Sequence, residues 1–240
     1  MTDPETARVF RLERWPGPAG SVLLRLELAL DREPDAQSFA SLARHERDRA
    51  ARFVRREDRV RFVAARAALR EHLATALGVN AADVPVELDE RSKPFVTGLK
   101  GSFSIAHSGA ITLLAFRDDG PVGVDVEWMN RRSKLSDIEP SVFHLEELQR
   151  LAGLAENDRA ELFFDLWVRK EAALKALGTG FLLDPKTVCV GPTGHVSLGE
   201  AQWNSPVGVR QKPPHAHGPT ILTAALDIAP GYAAALAWSA

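Results

Sequence analysis

The chain reads as an α+β protein made of two α+β halves. Three observations predict this. Short alternating segments and helical stripes follow one another in the order strand, helix, strand on both sides of Gly120. The break Asp118-Asp119-Gly120-Pro121 separates the two sets. No short-period repeat runs through the 240 residues, so a solenoid is excluded. The expected division is 1–119 and 120–240, the second half carrying most of a candidate metal site.

In the first half, Leu24, Leu26, Leu28 and Leu30 alternate with Arg25 and Glu27, a half-buried strand over Val22 to Leu30. Asp35 to Arg52, rich in Ala, Arg and Glu, predicts one helix. Glu57 to Leu77 predicts a second, with Phe62, Ala65, Leu69, Leu73 and Ala76 as its apolar stripe and Gly78 as its stop. Val84, Val86 and Leu88 form a short strand. Ser102 to Ile105 and Ile111 to Phe116 flank Ser108-Gly109 as a hairpin. In the second half, Val122 to Val126 is a strand and Ser141 to Leu151 a helix. A longer helix opens on Asp158-x-x-Glu161, a capping-box pattern, and ends near Gly178. Strands are expected at Thr187 to Val190, His195 to Leu198, Val207 to Gln211, Thr220 to Leu226 and Tyr232 to Trp238. Lys212 to Pro219 is the most loop-like stretch.

Composition bounds the function. Apolar residues make up 45% and charged residues 26%, as in globular proteins, and the net charge of −2 argues against a dedicated nucleic-acid binder. The lone Cys189 excludes an intrachain disulfide and fits a reducing compartment. Met1-Thr2-Asp3-Pro4-Glu5 has no apolar signal core, and no apolar run approaches the ~20 residues that span a bilayer. A cytoplasmic protein without a membrane contact is expected.

The chemistry concentrates in two runs. In Gly123-Val124-Asp125-Val126-Glu127, strand alternation turns the valines to one face and Gly123, Asp125 and Glu127 to the other. Two carboxylates on one strand face repel unless a cation stands by them, and they are hard ligands suited to Mg²⁺. Taken alone, Asp-x-Glu is a weak motif and more often a solvated edge. In Trp167-Val168-Arg169-Lys170-Glu171-Ala172-Ala173-Leu174-Lys175, Phe163, Leu166, Trp167, Leu174 and Leu177 give the stripe. Lys170 falls in its middle and needs a partner or water. Glu171 and Lys175 lie on its shoulder, and by themselves are compatible with an ordinary i,i+4 pair. Arg91-Ser92-Lys93-Pro94 projects a lysine from an extended loop, and His107 ends a strand. Arg49 and Arg61 belong to an arginine-dense stretch, much of it a solvated face. His215-x-His217 lacks a third metal ligand nearby.

Together these segments resemble the 4′-phosphopantetheinyl transferase superfamily, in its long single-chain branch. The resemblance runs from about Arg49 to Phe181. Its anchors are Lys93-Pro94, Phe103-Ser104-Ile105-Ala106-His107-Ser108-Gly109, Gly123-Val124-Asp125-Val126-Glu127 and Trp167-x-x-Lys170-Glu171-x-x-x-Lys175. It implies two α+β halves about a pseudo-twofold axis, coenzyme A in the cleft between them, and transfer of the phosphopantetheine arm to a serine of an apo acyl or peptidyl carrier protein. It implies a divalent ion, Mg²⁺ or Mn²⁺, on Asp125, Glu127 and Glu171, with Glu171 taking the serine proton directly or through a water. Lys175 is implied at the leaving phosphate, Lys93, His107 and Arg49 at the 3′-phosphate and nucleotide, and Lys170 as a further phosphate contact. Ala106 replaces a serine found in some relatives, and Trp128 replaces a basic residue. The branch implies a monomer. A metal-dependent phosphodiester hydrolase using the same carboxylates is the alternative, and it leaves Lys93 and His107 without a task.

Overall fold

A computed structural model describes residues 8–89, 93–129, 135–180, 183–198 and 220–240. The expected strand Val207 to Gln211, the loop Lys212 to Pro219 with its two histidines, and Arg91-Ser92 lie outside the described residues.

The first half contributes strands β1 (Phe10–Pro16) and β2 (Val22–Leu28), short helices α1 (Ala36–Ala40) and α2 (Arg44–Ala50), and the long α3 (Arg56–Leu77). The hairpin strands β3 (Val86–Leu88) and β4 (Pro94–Val96), then β5 (Ser102–Ser108) and β6 (Ile111–Arg117), complete it. Its main sheet runs β1-β2-β6-β5, all antiparallel. Leu24, Leu26 and Leu28 bury against Val60, Val63, Ala64 and Ala67 of α3, so the leucine alternation of β2 meets the apolar side of the helix. At the β5–β6 turn Gly109 takes φ +54, where a Cβ would stand 2.4 Å from the Tyr232 hydroxyl oxygen.

The second half repeats this layout about one hundred residues later. Strand β7 (Val122–Trp128) precedes short helices α4 (Glu139–Val142) and α5 (Leu145–Leu151) and the long α6 (Glu156–Ala176). Strands β8 (Val188–Val190), β9 (His195–Leu198), β10 (Ile221–Ala225) and β11 (Tyr232–Ser239) follow, in the order β7-β11-β10-β9-β8. Thus β2-β6-β5 and β7-β11-β10 correspond, as do the pairs β3-β4 and β8-β9. One pairing differs. β9 joins β10, whereas β4 stands apart from β5.

The halves meet where β5 lies along β7. Two serines on one face of β5 accept β7 backbone N–H groups, Ser104 Oγ from Val124 (3.1 Å) and Ser108 Oγ from Trp128 (3.0 Å). Between them Ala106 is buried in a core shared with Val122, Val124, Val126 and Leu236. The residue at 106 therefore faces the junction of the halves, while Ile105 and His107 face the other way.

Each half carries the same internal fastening. In α2, Glu46 accepts its own N-cap N–H from Ala43 (3.2 Å) and binds Arg70 of α3, which also donates to the carbonyls of Ala81, Ala82 and Val84. In α5, Glu147 accepts the His144 N–H (2.8 Å) and binds Lys170 of α6 at 2.7 Å. Lys170 donates further to the carbonyls of Pro185 and Val188. Lys170 and Glu147 have no exposed side-chain surface. The expected phosphate contact of Lys170 is therefore corrected: its ammonium is committed to tying α5, α6 and the start of β8 together.

Three expected elements differ. The helix over Asp35 to Arg52 divides at Ser41-Leu42-Ala43, because Leu42 enters the core and Ser41 donates to Glu71 (2.6 Å). The helix over Ser141 to Leu151 breaks at Phe143, extended and buried, and restarts with His144 as its cap. Helix α6 begins at Glu156 behind an extended Ala155, so Asp158 sits inside the first turn rather than capping it. There the carboxylates still oppose the positive end of the helix dipole. Among the described residues no helix is long and apolar enough to cross a membrane.

Lys170→Met strands the Glu147 carboxylate in the interior. It should lower unfolding free energy by about 3–5 kcal/mol, read as the urea midpoint, and leave the coenzyme affinity of the folded variant unchanged. A small loss of stability with weakened coenzyme binding would return Lys170 to a ligand site.

Candidate active site

Gly123 determines how the chemistry assembles. A Cβ there would lie 2.0 Å from the Ala172 carbonyl oxygen and 2.6 Å from the Ala176 nitrogen. Only glycine lets the backbone of α6 come this close to β7, and Ala172, Ala173 and Ala176 keep the helix side thin. The approach places Glu171 and Lys175 beside Asp125.

Asp125 is only 6% exposed. Its Oδ1 receives Lys175 Nζ at 2.7 Å, and the same ammonium donates to the Val124 carbonyl (3.2 Å). Its Oδ2 is buried without a partner, and so is Oε1 of Glu171. Glu127, half-buried, accepts the Ser108 hydroxyl at Oε2 (2.9 Å). Burial pushes the Asp125 carboxyl up to about 6, with Lys175 opposing and Glu127 adding to the rise. Burial pushes Glu171 up to about 7, reinforced by the charges of Asp125 and Glu127.

This donor set fits a hard divalent cation. Two orphaned carboxylate oxygens and a third carboxylate stand in a cluster whose own charge is only partly offset by Lys175, and oxygen ligands suit Mg²⁺ and Mn²⁺. Among the described residues, the group of three ligating side chains already drawn within 4.8 Å of one another lies elsewhere. Asp125, Glu127 and Glu171 would thus have to close in around a cation.

The separation of β4 from β5 opens a cleft of ≈ 460 Å³ against α3, lined by Arg49, Phe53, Arg61, Phe62, Arg66 and His107 among others. The guanidiniums of Arg49 and Arg66 approach the Phe62 ring at 5.3 and 5.7 Å. Arg66 also faces Glu46 (3.7 Å), and its Nη1 is buried without a hydrogen bond. Arg61 donates to the Gly109 carbonyl (2.9 Å) and so fastens the β5–β6 turn to α3. Burial, then the charge of Arg61 and more weakly that of Lys175, lower the His107 pKa below its ordinary value.

The structure thus brings Arg49 and His107 into one cleft, and Asp125, Glu127, Glu171 and Lys175 into one cluster. Lys93 lines a neighbouring groove of ≈ 400 Å³ across Pro94 and donates to the Lys175 carbonyl (3.1 Å) at the C-terminal end of α6. Trp167 stacks on Phe163 as packing, and Trp128 is 54% exposed. Sequence reasoning gave no role to Arg66, Ser104 or Ser108; Phe62, assigned to the core stripe, packs against the core and also lines the cleft. Arg66 lies one helical turn after Phe62, a spacing that puts it on the same face.

With both carboxyls raised in the fold, the native chain holds protons that the unfolded chain has released. The stability they contribute is complete below their ordinary values, 3.8 for Asp125 and 4.5 for Glu171, and is lost as pH rises through about 6 to 7. Glu171→Gln should therefore match the wild type near pH 4 in chelator and exceed it by about 1–3 kcal/mol near pH 8. Added Mg²⁺ should stabilise only the wild type. An unchanged difference across this range, by thermal unfolding, would remove the strained cluster.

Comparison with known proteins accounts for this arrangement. A family model described as the 4′-phosphopantetheinyl transferase superfamily matches residues 121–217, and one described as 4′-phosphopantetheinyl transferase, N-terminal, matches residues 33–118. The 4′-phosphopantetheinyl transferase HetI of Nostoc sp. is 32% identical over 200 residues, covering 78% of this chain and 84% of the relative. A 4′-phosphopantetheinyl transferase of Bacillus subtilis is 29% identical over 175 residues, 72% and 77% of the two chains. The 4′-phosphopantetheinyl transferase Sfp of Bacillus subtilis (strain 168) is 25% identical over 188 residues, 77% and 83%. With its two repeated α+β halves and its carboxylate cluster at their junction, the chain belongs to the 4′-phosphopantetheinyl transferase superfamily.

Proposed function

We propose that this chain moves the 4′-phosphopantetheine arm of coenzyme A to a serine of an apo acyl or peptidyl carrier protein, with Mg²⁺, or Mn²⁺ in its place. The observation that carries the metal reading is the pair of orphaned oxygens, Asp125 Oδ2 and Glu171 Oε1, beside Lys175. The chain is an enzyme of the class its relatives are named for, and those relatives give no support to the phosphodiester hydrolase.

Asp125, Glu127 and Glu171 would hold the cation on the coenzyme diphosphate. When bound, it supplies Lewis-acid neutralisation of charge at the reacting phosphorus. The carrier serine oxygen bonds to that phosphorus, and the bond to the departing adenosine 3′,5′-bisphosphate breaks. Glu171, at the edge of the cluster, takes the serine proton. Lys175, fixed by Asp125 and the Val124 carbonyl, keeps a positive charge where the leaving phosphate gathers negative charge. We assign the guanidinium-lined cleft to the nucleotide. Arg49 and His107 would meet its phosphate with Arg66 behind them, and a bound anion would favour the charged form of His107. Lys93 would approach from the adjoining groove.

We divide the chain into halves 1–119 and 120–240. One polypeptide then supplies both walls of the site, which supports a monomer, and a single buried cysteine supports the cytoplasm.

Incubation of an apo carrier protein with this chain, coenzyme A and Mg²⁺ should add one phosphopantetheine arm by intact mass, and chelator should prevent it. Asp125→Ala and Glu171→Ala should each reduce the rate by about 10³-fold or more. Lys93→Ala and His107→Ala should raise KM for coenzyme A more than they lower kcat. No mass gain on fatty-acid, polyketide or peptide carriers would reject the reaction, and wild-type rates in either carboxylate variant would reject the metal site.

A further inference from the structure

A second set of metal-ligating side chains lies on the α5–β8 side of α6. Atoms of His144, Glu146 and Cys189 all lie within 4.8 Å of one another. Cys189 Sγ stands 3.8 Å from Glu146 Oε2 and donates to it, and His144 Nδ1 accepts the Glu146 N–H at 3.3 Å. The three residues come from two places: His144, the cap that precedes α5, and Glu146 in its first turn, and Cys189 in β8. The two elements are held together by Glu147, which accepts the N–H of Val190 at 2.8 Å, the residue after Cys189. The buried Glu147–Lys170 pair is the immediate neighbour. The reaction proposed above employs none of these three side chains.

We propose that His144, Glu146 and Cys189 form a second, structural metal site, selective for a borderline-soft divalent ion of the Zn²⁺ type. Zn²⁺ takes imidazole at about 2.0–2.1 Å, carboxylate at about 2.0–2.2 Å and thiolate at about 2.3 Å. The tetrahedral edges that follow are shorter than the present 4.8 Å bound by roughly an ångström. That is within the reach of side-chain rotation on an exposed glutamate and a half-buried histidine. Thiolate plus carboxylate match the charge of a dication, and a thiolate ligand selects against Mg²⁺. Binding releases the Cys189 proton to solvent and replaces the long hydrogen bond at the His144 ring. Glu146 is exposed and His144 half-buried, which leaves the fourth position to water. The ion would clamp the start of α5 to β8 beside the Glu147 fastening.

Cys189 is the only cysteine in the chain, which makes its signature unambiguous. Untagged full-length protein is titrated with Co²⁺ and read for the near-ultraviolet thiolate-to-cobalt charge-transfer band. The expected result is a 1:1 band that Zn²⁺ displaces and Cys189→Ser abolishes. His144→Ala and Glu146→Gln should each weaken Co²⁺ binding at least tenfold. Oxygen ligands at Asp125, Glu127 and Glu171 give no such band, so the two sites are read separately. X-ray absorption of the wild-type zinc form keeps the test independent of how the variants fold: one sulfur at about 2.3 Å among nitrogen and oxygen ligands supports the site. Absence of a charge-transfer band, affinities unchanged in His144→Ala and Glu146→Gln, or a zinc shell of nitrogen and oxygen alone would overturn it.

Discussion

Helix α6 rests on β7 so closely that no side chain fits between them at Gly123, and the rest of the site depends on this contact. The Ala172 carbonyl and the Ala176 nitrogen occupy the space a Cβ would need. A larger residue would push the helix outward, and with it Glu171 and Lys175. The neighbouring alanines serve the same end. The approach brings carboxylates together in a place where burial disfavours their charge, and a single ammonium offsets only part of it. That conflict between packing and charge is what makes the cluster receptive to a cation.

The repeat within the chain shows which features belong to the scaffold and which to the site. Both long helices carry a buried cation held by the third residue of the preceding short helix, Arg70 by Glu46 and Lys170 by Glu147. In both, a glutamate follows. Glu71 is fully engaged by Arg8 and Ser41, whereas Glu171 keeps an unpartnered oxygen. The helix-facing side of β2 is Leu24, Leu26 and Leu28. On β7 the same side presents Gly123, Asp125 and Glu127. The first half uses its version of the repeat as core, and the second exposes it to chemistry. The unpaired edge between β4 and β5 then supplies a guanidinium-lined cleft that β9 and β10, by pairing, close off in the other half.

Much of this could be read in the sequence, for reasons tied to particular residues. Alternation on β7 forced Asp125 and Glu127 to one face, and helical spacing put Glu171 and Lys175 together. The burial of Lys170 was signalled by its place in an apolar stripe, but its partner was not. Glu147 lies in a helix the sequence ran together with the one before it, and a buried charge pair between elements leaves no periodic trace. Phe62 packs against the core as its spacing predicts and also walls the cleft, a second role that was hidden because periodicity does not report which strands fail to pair. The contacts of Ser104 and Ser108 with β7 were not legible, since a hydroxyl that accepts from a neighbouring strand looks like any polar residue on a sheet.

The most direct test of the account is Mn²⁺ binding, by electron paramagnetic resonance, to folded Gly123→Ala. This variant keeps Asp125, Glu127, Glu171 and Lys175. The account predicts that its Mn²⁺ affinity falls at least tenfold, because the helix can no longer seat on the strand. Wild-type affinity in a variant with native circular dichroism would contradict it, and would mean that the carboxylates assemble without the close approach at Gly123.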